Sequence, residues 1–293
     1  MTHTAVISND KGGVAKSMVT VQLAAGLARA GKRVLVIDFD PQANATRRLG
    51  IEWNPDEPFA TMSEVIKADR SGVGEEAVLA CGWTNPDGTA TVEAELIDVL
   101  PSRFDLVNRE TEAGVVGAVR RLKKALEGWT DGYDAILIDT PPSLGHLTQM
   151  AMAAADTVII PATAQYDSVE AAIRVNDFVV RHAADLANSD LAVGGVIVTR
   201  YKDQLEHEFQ VTGLRETFGD LVWDLTGVVK LPNGSDLLIP RYIREWARYA
   251  DADSAAVSLS AWRDREGRRT VAAFDALARI YIDRILVPSE KAA

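Results

Sequence analysis

The chain has 293 residues, 47% hydrophobic and 25% charged, which is ordinary globular usage and excludes disordered and fibrous classes. Its 42 acidic against 31 basic residues give a net charge of −11, so any nucleic-acid contact must be a local basic patch on an acidic body. The lone cysteine, Cys81, excludes a disulfide framework and a cysteine-only metal or iron–sulfur site within one subunit; the sequence also lacks an apolar run of membrane-spanning length and a signal peptide, which points to the cytoplasm.

In chain order, residues 4–8 are predicted as the first strand, followed by a Gly-rich turn and a helix over 17–30. A second strand at 33–38 precedes a Pro-, Gly-, Asp- and Thr-rich stretch at 52–95, where Asn85-Pro86-Asp87-Gly88 signals a turn. A weaker strand at 96–100 leads to a helix over 112–128. Strands at 134–139, 156–161 and 193–199 follow, with helices over 168–187 and 206–218. Residues 224–238 hold a second turn signal, Leu231-Pro232-Asn233-Gly234, which suits a hairpin. Over 270–286, Phe274, Leu277, Ala278, Tyr281 and Ile285 form a stripe of ordinary core width, and Pro288-Ser289-Glu290 follow it. The strands are almost continuously apolar, as strands covered on both faces read. Their alternation with helices predicts an α/β fold: a doubly wound, mostly parallel sheet with helices on both faces. Residues 1–293 read as a single domain, with 52–95 and 224–238 as insertions on it.

The most informative residues follow the first strand: Asn9-Asp10-Lys11-Gly12-Gly13-Val14-Ala15-Lys16-Ser17. A strand ending in a Gly-rich turn that opens a helix presents backbone N–H groups and a positive dipole end to an anion. Lys16 then Ser17 is the lysine–hydroxyl pair of a phosphate loop, in which the ammonium serves the β- and γ-phosphates and the hydroxyl ligates Mg²⁺. Against G-x-x-x-x-G-K-[ST], both glycine positions are changed, to Asp10 and Ala15. If position 15 needs a positive φ, alanine there costs on the order of 1 kcal/mol.

Lys11 turns this departure into a different pattern. Lys11, Gly12, Gly13, Lys16 and Ser17 resemble, residue by residue, the deviant phosphate loop K-G-G-x-x-K-[ST] of the ParA/MinD family of ATPases. Two further segments extend the resemblance: Asp38-Phe39-Asp40-Pro41-Gln42-Ala43-Asn44 is similar to the family's D-x-D-P-Q-x-N, and Asp139-Thr140-Pro141-Pro142-Ser143 to its Walker B segment. It implies a P-loop NTPase fold with ATP and Mg²⁺ as cofactors, and catalytic roles for Lys11, Lys16 and Asp40. Nucleotide contacts would come from Lys11, Gly12, Gly13, Val14, Ala15, Lys16, Ser17 and Met18, with Arg200 and Pro240 near the base. Ser17, Asp40 and Asp139 would hold the metal, and Asp38 would support it. The early lysine would reach across a homodimer interface to the partner's phosphate.

Histidines 3, 146, 182 and 207 show no metal-ligand spacing, and the tryptophans suit packing. Arg241, Arg244 and Arg248 fall at i, i+3 and i+7 and are expected on one helix face, as the first choice for DNA phosphates; Arg263, Arg265, Arg268 and Arg269 form a second cluster. The expected function is DNA partition: an ATP-bound dimer binds DNA without sequence preference and is released by hydrolysis that a centromere-binding, ParB-like partner stimulates. The protein would be cytoplasmic and nucleoid-associated. With the first strand starting within four residues of Met1, no N-terminal helix-turn-helix domain is expected. The alternatives are a MinD-like positioning ATPase, which the unsuitable C-terminal stripe disfavours, and a slow nucleotide switch. An iron–sulfur reductase on the same fold would need more than Cys81.

Overall fold

The computed structural model describes residues 2–230 and 234–287. The elements run β1 (His3–Ile7), α1 (Lys16–Arg29), β2 (Val34–Asp38), α2 (Asn44–Arg48), α3 (Met62–Ala68), β3 (Leu79–Ala80) and β4 (Ile97–Leu100). They continue with α4 (Arg121–Leu126), β5 (Ala135–Asp139), α5 (His146–Ala154), β6 (Thr157–Thr163), α6 (Tyr166–His182), β7 (Ala192–Thr199) and α7 (Leu205–Phe218). A two-stranded hairpin of β8 (Gly227–Lys230) and β9 (Asp236–Ile239) then precedes α8 (Ala247–Ala255) and α9 (Arg265–Tyr281).

Among the described residues the main sheet has seven strands in the order β3-β4-β2-β5-β1-β6-β7. All its pairings are parallel except β3 with β4. Strand periodicity divides the core between the two faces. Val6, Leu35, Ile37, Ile136 and Ile138 face the layer of α3 to α7, whereas Ala5, Ile7, Val34, Val36 and Leu137 face that of α1, α2, α8 and α9. The predicted doubly wound architecture is the observed one.

Helix α1 is buried on every side, from Lys16 to Ala28. The C-terminal stripe explains how: α9 lies on α1, burying Phe274, Leu277, Ala278 and Tyr281. A Cβ on Gly26 would stand 2.7 Å from the Phe274 carbonyl oxygen, so only glycine allows this approach.

Among the described residues both irregular stretches form regular elements. Thr61 and Glu64 form a capping box that starts α3, whose Met62, Val65 and Ile66 enter the core. The signalled turn closes with the Asn85 N–H donating to Thr89 O at 2.7 Å, and β3 extends the sheet edge. The hairpin forms at β8–β9; Leu231, Pro232 and Asn233 lie outside the described residues, as do Pro288, Ser289 and Glu290.

One predicted element is corrected. The helix expected over 112–128 is a 3₁₀ segment ending at Glu112, a turn, and only the short α4. Gly114, Gly117 (φ 80°) and the β-branched Val115-Val116 oppose a continuous helix. The Glu110 carboxylate turns elsewhere: it accepts from the His146 N–H at 2.8 Å and caps α5.

Candidate functional site

The sheet register assembles the site. Ile7 pairs with Asp139, and Asp139 with Asp38, so the segments leaving β1, β2 and β5 emerge side by side at the carboxyl edge of the sheet.

The loop after β1 is anchored by its own polar groups. The Asn9 amide donates to Pro161 O at 2.8 Å, and its Oδ1 accepts from the Lys11 N–H at 2.9 Å. Lys16 is buried, with Nζ donating to the carbonyls of Asn9 (3.1 Å) and Lys11 (3.3 Å). Burial lowers its pKa, opposed by the carboxylates of Asp139, Asp40 and Asp10. Gly13 takes φ 79°. Ala15 sits at the N-cap of α1 with φ 68° and ψ 32°, the left-handed conformation that glycine would occupy without strain. No side chain caps α1, so its first N–H groups remain available to an anion. Ala43 (φ 53°) and Arg200 (φ 52°) are also left-handed, each just beyond a parallel strand of this edge.

Replacing Ala15 by glycine relieves that strain without removing an N–H donor. The gain is offset by the larger entropy of the unfolded glycine chain, about 0.4–1 kcal/mol. We expect Ala15→Gly to change stability by no more than about 1 kcal/mol and to leave ATP affinity equal or improved. Thermal melts and nucleotide titration check this; a large loss of affinity would mean that the loop depends on the methyl group.

The carboxylates differ sharply in surroundings. Asp38 is fully buried and accepts from Thr46 N and Oγ1, each at 2.7 Å, so it ties β2 to α2. Burial and the neighbouring Asp139 push it up to about 7. Asp139 is likewise fully buried and raised to about 6, by burial first and Asp40 next, against the Ser17 hydroxyl and Lys16. Its Oδ1 accepts from Thr20 Oγ1 at 3.2 Å, whereas among the described residues Oδ2 has no hydrogen-bond partner. Asp40 is buried at the same edge, and its Oδ1 accepts from the Gln42 N–H at 2.9 Å. An orphaned carboxylate oxygen beside Ser17, with a second carboxylate raising its pKa, fits a divalent cation.

A cleft of about 470 Å³ opens beside the loop, lined among others by Gly13, Ala15, Met18, Arg200, Trp246 and Tyr249. Arg200 donates to Gly13 O at 3.2 Å and pairs with Glu245, whose carboxyl is held at about 2 by hydrogen bonds from Lys202 and Arg200. Trp246 and Tyr249 were missed in the sequence, where neither residue carries a spacing that separates it from packing aromatics. Pro240 does not line this cleft. It lines a separate cleft of about 300 Å³ with Tyr201, Arg215, Arg241 and Arg244.

The expected arginine helix is also corrected. Helix α8 begins only at Ala247, so Arg241 and Arg244 lie in the preceding connection and Arg248 alone is helical. Each is paired with acid: Arg241 with Asp224 (2.6 Å), Arg244 with Asp203 (2.6 Å), and Arg248 with Asp251 (2.7 Å) and Asp264. Among the described residues no cluster of three or more histidine, cysteine and carboxylate side chains has metal-site geometry.

Comparison with known proteins agrees with this geometry. The AAA domain family matches residues 2–193. The sporulation initiation inhibitor protein Soj of Bacillus subtilis is 39% identical over 197 residues, 66% of this chain and 70% of Soj. The chromosome partitioning protein ParA of Myxococcus xanthus is 36% identical over 210 residues, 70% of this chain and 67% of that protein. The structure of a Cyanothece McdA–ATP complex shares the fold, with a TM-score of 0.74 at 24% identity over 95% of both chains. The matched span contains the loop with both its lysines and the carboxylates at the ends of β2 and β5, and the chain belongs to the ParA/MinD family of P-loop ATPases.

Proposed function

We propose that this ParA-like ATPase drives DNA partition as an ATP-dependent homodimer. ATP with Mg²⁺ is the ligand of the loop: Gly12 to Met18 would surround the phosphates, and Ser17, Asp40 and Asp139 would hold the ion. The base would lie in the cleft lined by Met18, Arg200, Trp246 and Tyr249. Bound Mg²⁺ supplies charge neutralisation at the phosphates. Lys16 adds a fixed cation there, and Asp40 orients the attacking water; the strained Ala15 would keep turnover slow.

The observation that carries the dimer is the division between the two lysines. Lys16 is turned into the loop, whereas the Lys11 ammonium is turned outward, 2.9 Å from Asp167 on α6. A cation placed outside its own cradle suits phosphate on a second subunit. DNA would be bound by Arg241 and Arg244, which share one cleft, with Arg248 adjoining; each would exchange its acidic partner for a backbone phosphate. A ParB-like, centromere-binding protein would stimulate hydrolysis and release, at the nucleoid in the cytoplasm. Among the described residues no helix is long and apolar enough to cross a membrane, and the C-terminal stripe is taken up by α1, so membrane-surface positioning finds no support.

DNA binding measured by anisotropy, with a hydrolysis-resistant ATP analogue over a range of salt, tests the reading. Binding should require nucleotide, ignore sequence and weaken steeply with salt. Arg241→Ala with Arg244→Ala should lower the affinity and flatten log K against log salt by about 0.9 for each phosphate no longer neutralised, while ATP affinity stays at the parental value. Absence of DNA binding by the parent in every nucleotide state would sink the partition reading.

A further inference from the structure

Two residues of the phosphate loop are held by a helix that lines neither the phosphate cradle nor the metal site. Arg174 of α6 grips Asp10 through two hydrogen bonds, Nε to Oδ2 at 2.8 Å and Nη2 to Oδ1 at 3.2 Å. Asp167, in the first turn of the same helix, accepts from Lys11 Nζ at 2.9 Å. Seven residues, close to two turns, separate Asp167 from Arg174, so both stand on one face of α6. That face presents an acid and a base to the consecutive acid and base of the loop. Asp10 is one of the two positions, with Ala15, at which the loop departs from the general phosphate-loop glycines, and here it has a partner that explains the carboxylate.

The two contacts differ in strength. The fork on Asp10 is bidentate, and although the Arg174 side chain is 55% exposed, that of Asp10 is only 19% exposed. Lys11–Asp167 is a single contact with the carboxylate 76% exposed, and pairs of that kind are weak and sensitive to salt. One contact is therefore a pin and the other a releasable latch.

We infer that α6 clamps the phosphate loop in cis: Arg174 positions it through Asp10, and Asp167 competes for Lys11 with the phosphate of a second subunit. The latch half rests on the proposed reading of Lys11 as a cation that acts across a dimer. The pin half concerns the single subunit. Assembly then requires Lys11 to leave Asp167, so this pair sets the protein concentration at which nucleotide drives dimerisation. Arg174 is a positioning residue, acting on the nucleotide only through the loop.

Sedimentation with a hydrolysis-resistant ATP analogue and Mg²⁺ reads the latch. Asp167→Asn should dimerise at about 1.5- to 5-fold lower protein concentration than the parent, the span expected for an exposed ion pair. Asp167→Glu should restore the parental midpoint. The difference should vanish at about 1 M KCl, where the Debye length is about 3 Å. A parental midpoint in Asp167→Asn, or a shift that persists unchanged in high salt, overturns the latch. The pin is read on dilute, monomeric protein with a fluorescent nucleotide. Arg174→Ala should bind up to about 5-fold more weakly at an unchanged melting temperature, and Arg174→Lys should recover part of the loss. Parental affinity in Arg174→Ala overturns the pin. A parent that stays monomeric at every concentration overturns the dimer reading and the latch with it, and the monomer titration then decides the pin separately.

Discussion

Lys16→Ala should lose ATP binding by about 100-fold or more, with ADP affected similarly. The ammonium is buried in the loop and held by the Asn9 and Lys11 carbonyls, so it is a preplaced cation whose desolvation has already occurred on folding. Two charge-assisted hydrogen bonds to phosphate, at about 1.5–3 kcal/mol each, are lost with it. The uncompensated charges of Asp40 and Asp139 would then face the phosphates directly. Calorimetry on folded variant protein measures the effect; near-parental affinity would refute the assignment of residues 9–17 as a phosphate loop.

Asp40→Ala should separate binding from chemistry. ATP affinity and dimerisation persist, since Asp40 contributes no part of the cradle around Lys16, while steady-state hydrolysis falls by about 100-fold or more, the scale on which a positioned carboxylate acts on a proton or water. The variant removes one of the three groups proposed to hold Mg²⁺ but leaves Ser17 and Asp139, and it takes away the negative charge that raises Asp139, so Mg²⁺ should still bind. Phosphate release assayed alongside nucleotide titration distinguishes the outcomes. Parental turnover would make Asp40 a turn-forming residue, held by its bond from Gln42.

These two expectations rest on residues that were legible in the sequence, and the reason is physical. Apolar strands covered on both faces leave continuous β-branched runs, and the groups proposed to serve a ligand follow at their carboxyl ends. Lys11 to Ser17, Asp40 and Asp139 could therefore be placed without knowing any tertiary contact. The positive φ at Ala15 was legible for the same reason, because the loop geometry is local.

What depended on distant partners was not legible. Helical spacing of Arg241, Arg244 and Arg248 suggested a common face, but the chain from β9 through Pro240 to Trp246 is not helical, and the acids that fix Arg241 and Arg244 stand at Asp224 and Asp203. The segment 112–128 resembled a helix by composition, while the role of Glu110 as a cap for α5 exists only in three dimensions. Trp246 and Tyr249 approach the loop because of how α8 is seated, and no spacing encodes that.

The complete burial of α1 makes ligand binding and global stability inseparable. Its first turn is the one proposed to meet the phosphates, yet its remaining turns fill the space between the sheet and α9, so no local opening can free the loop's helical end without dismantling that half of the molecule. The amides of α1 should therefore exchange hydrogen only through whole-molecule unfolding, in contrast to the hairpin β8–β9 with its exposed Val228 and Leu238. Free energy from nucleotide then appears undiminished as resistance to unfolding, about 2.7 kcal/mol at a ligand concentration of about 100 times Kd. A substitution anywhere along α1 that loosens its packing against α9 would lower nucleotide occupancy and thermal stability together.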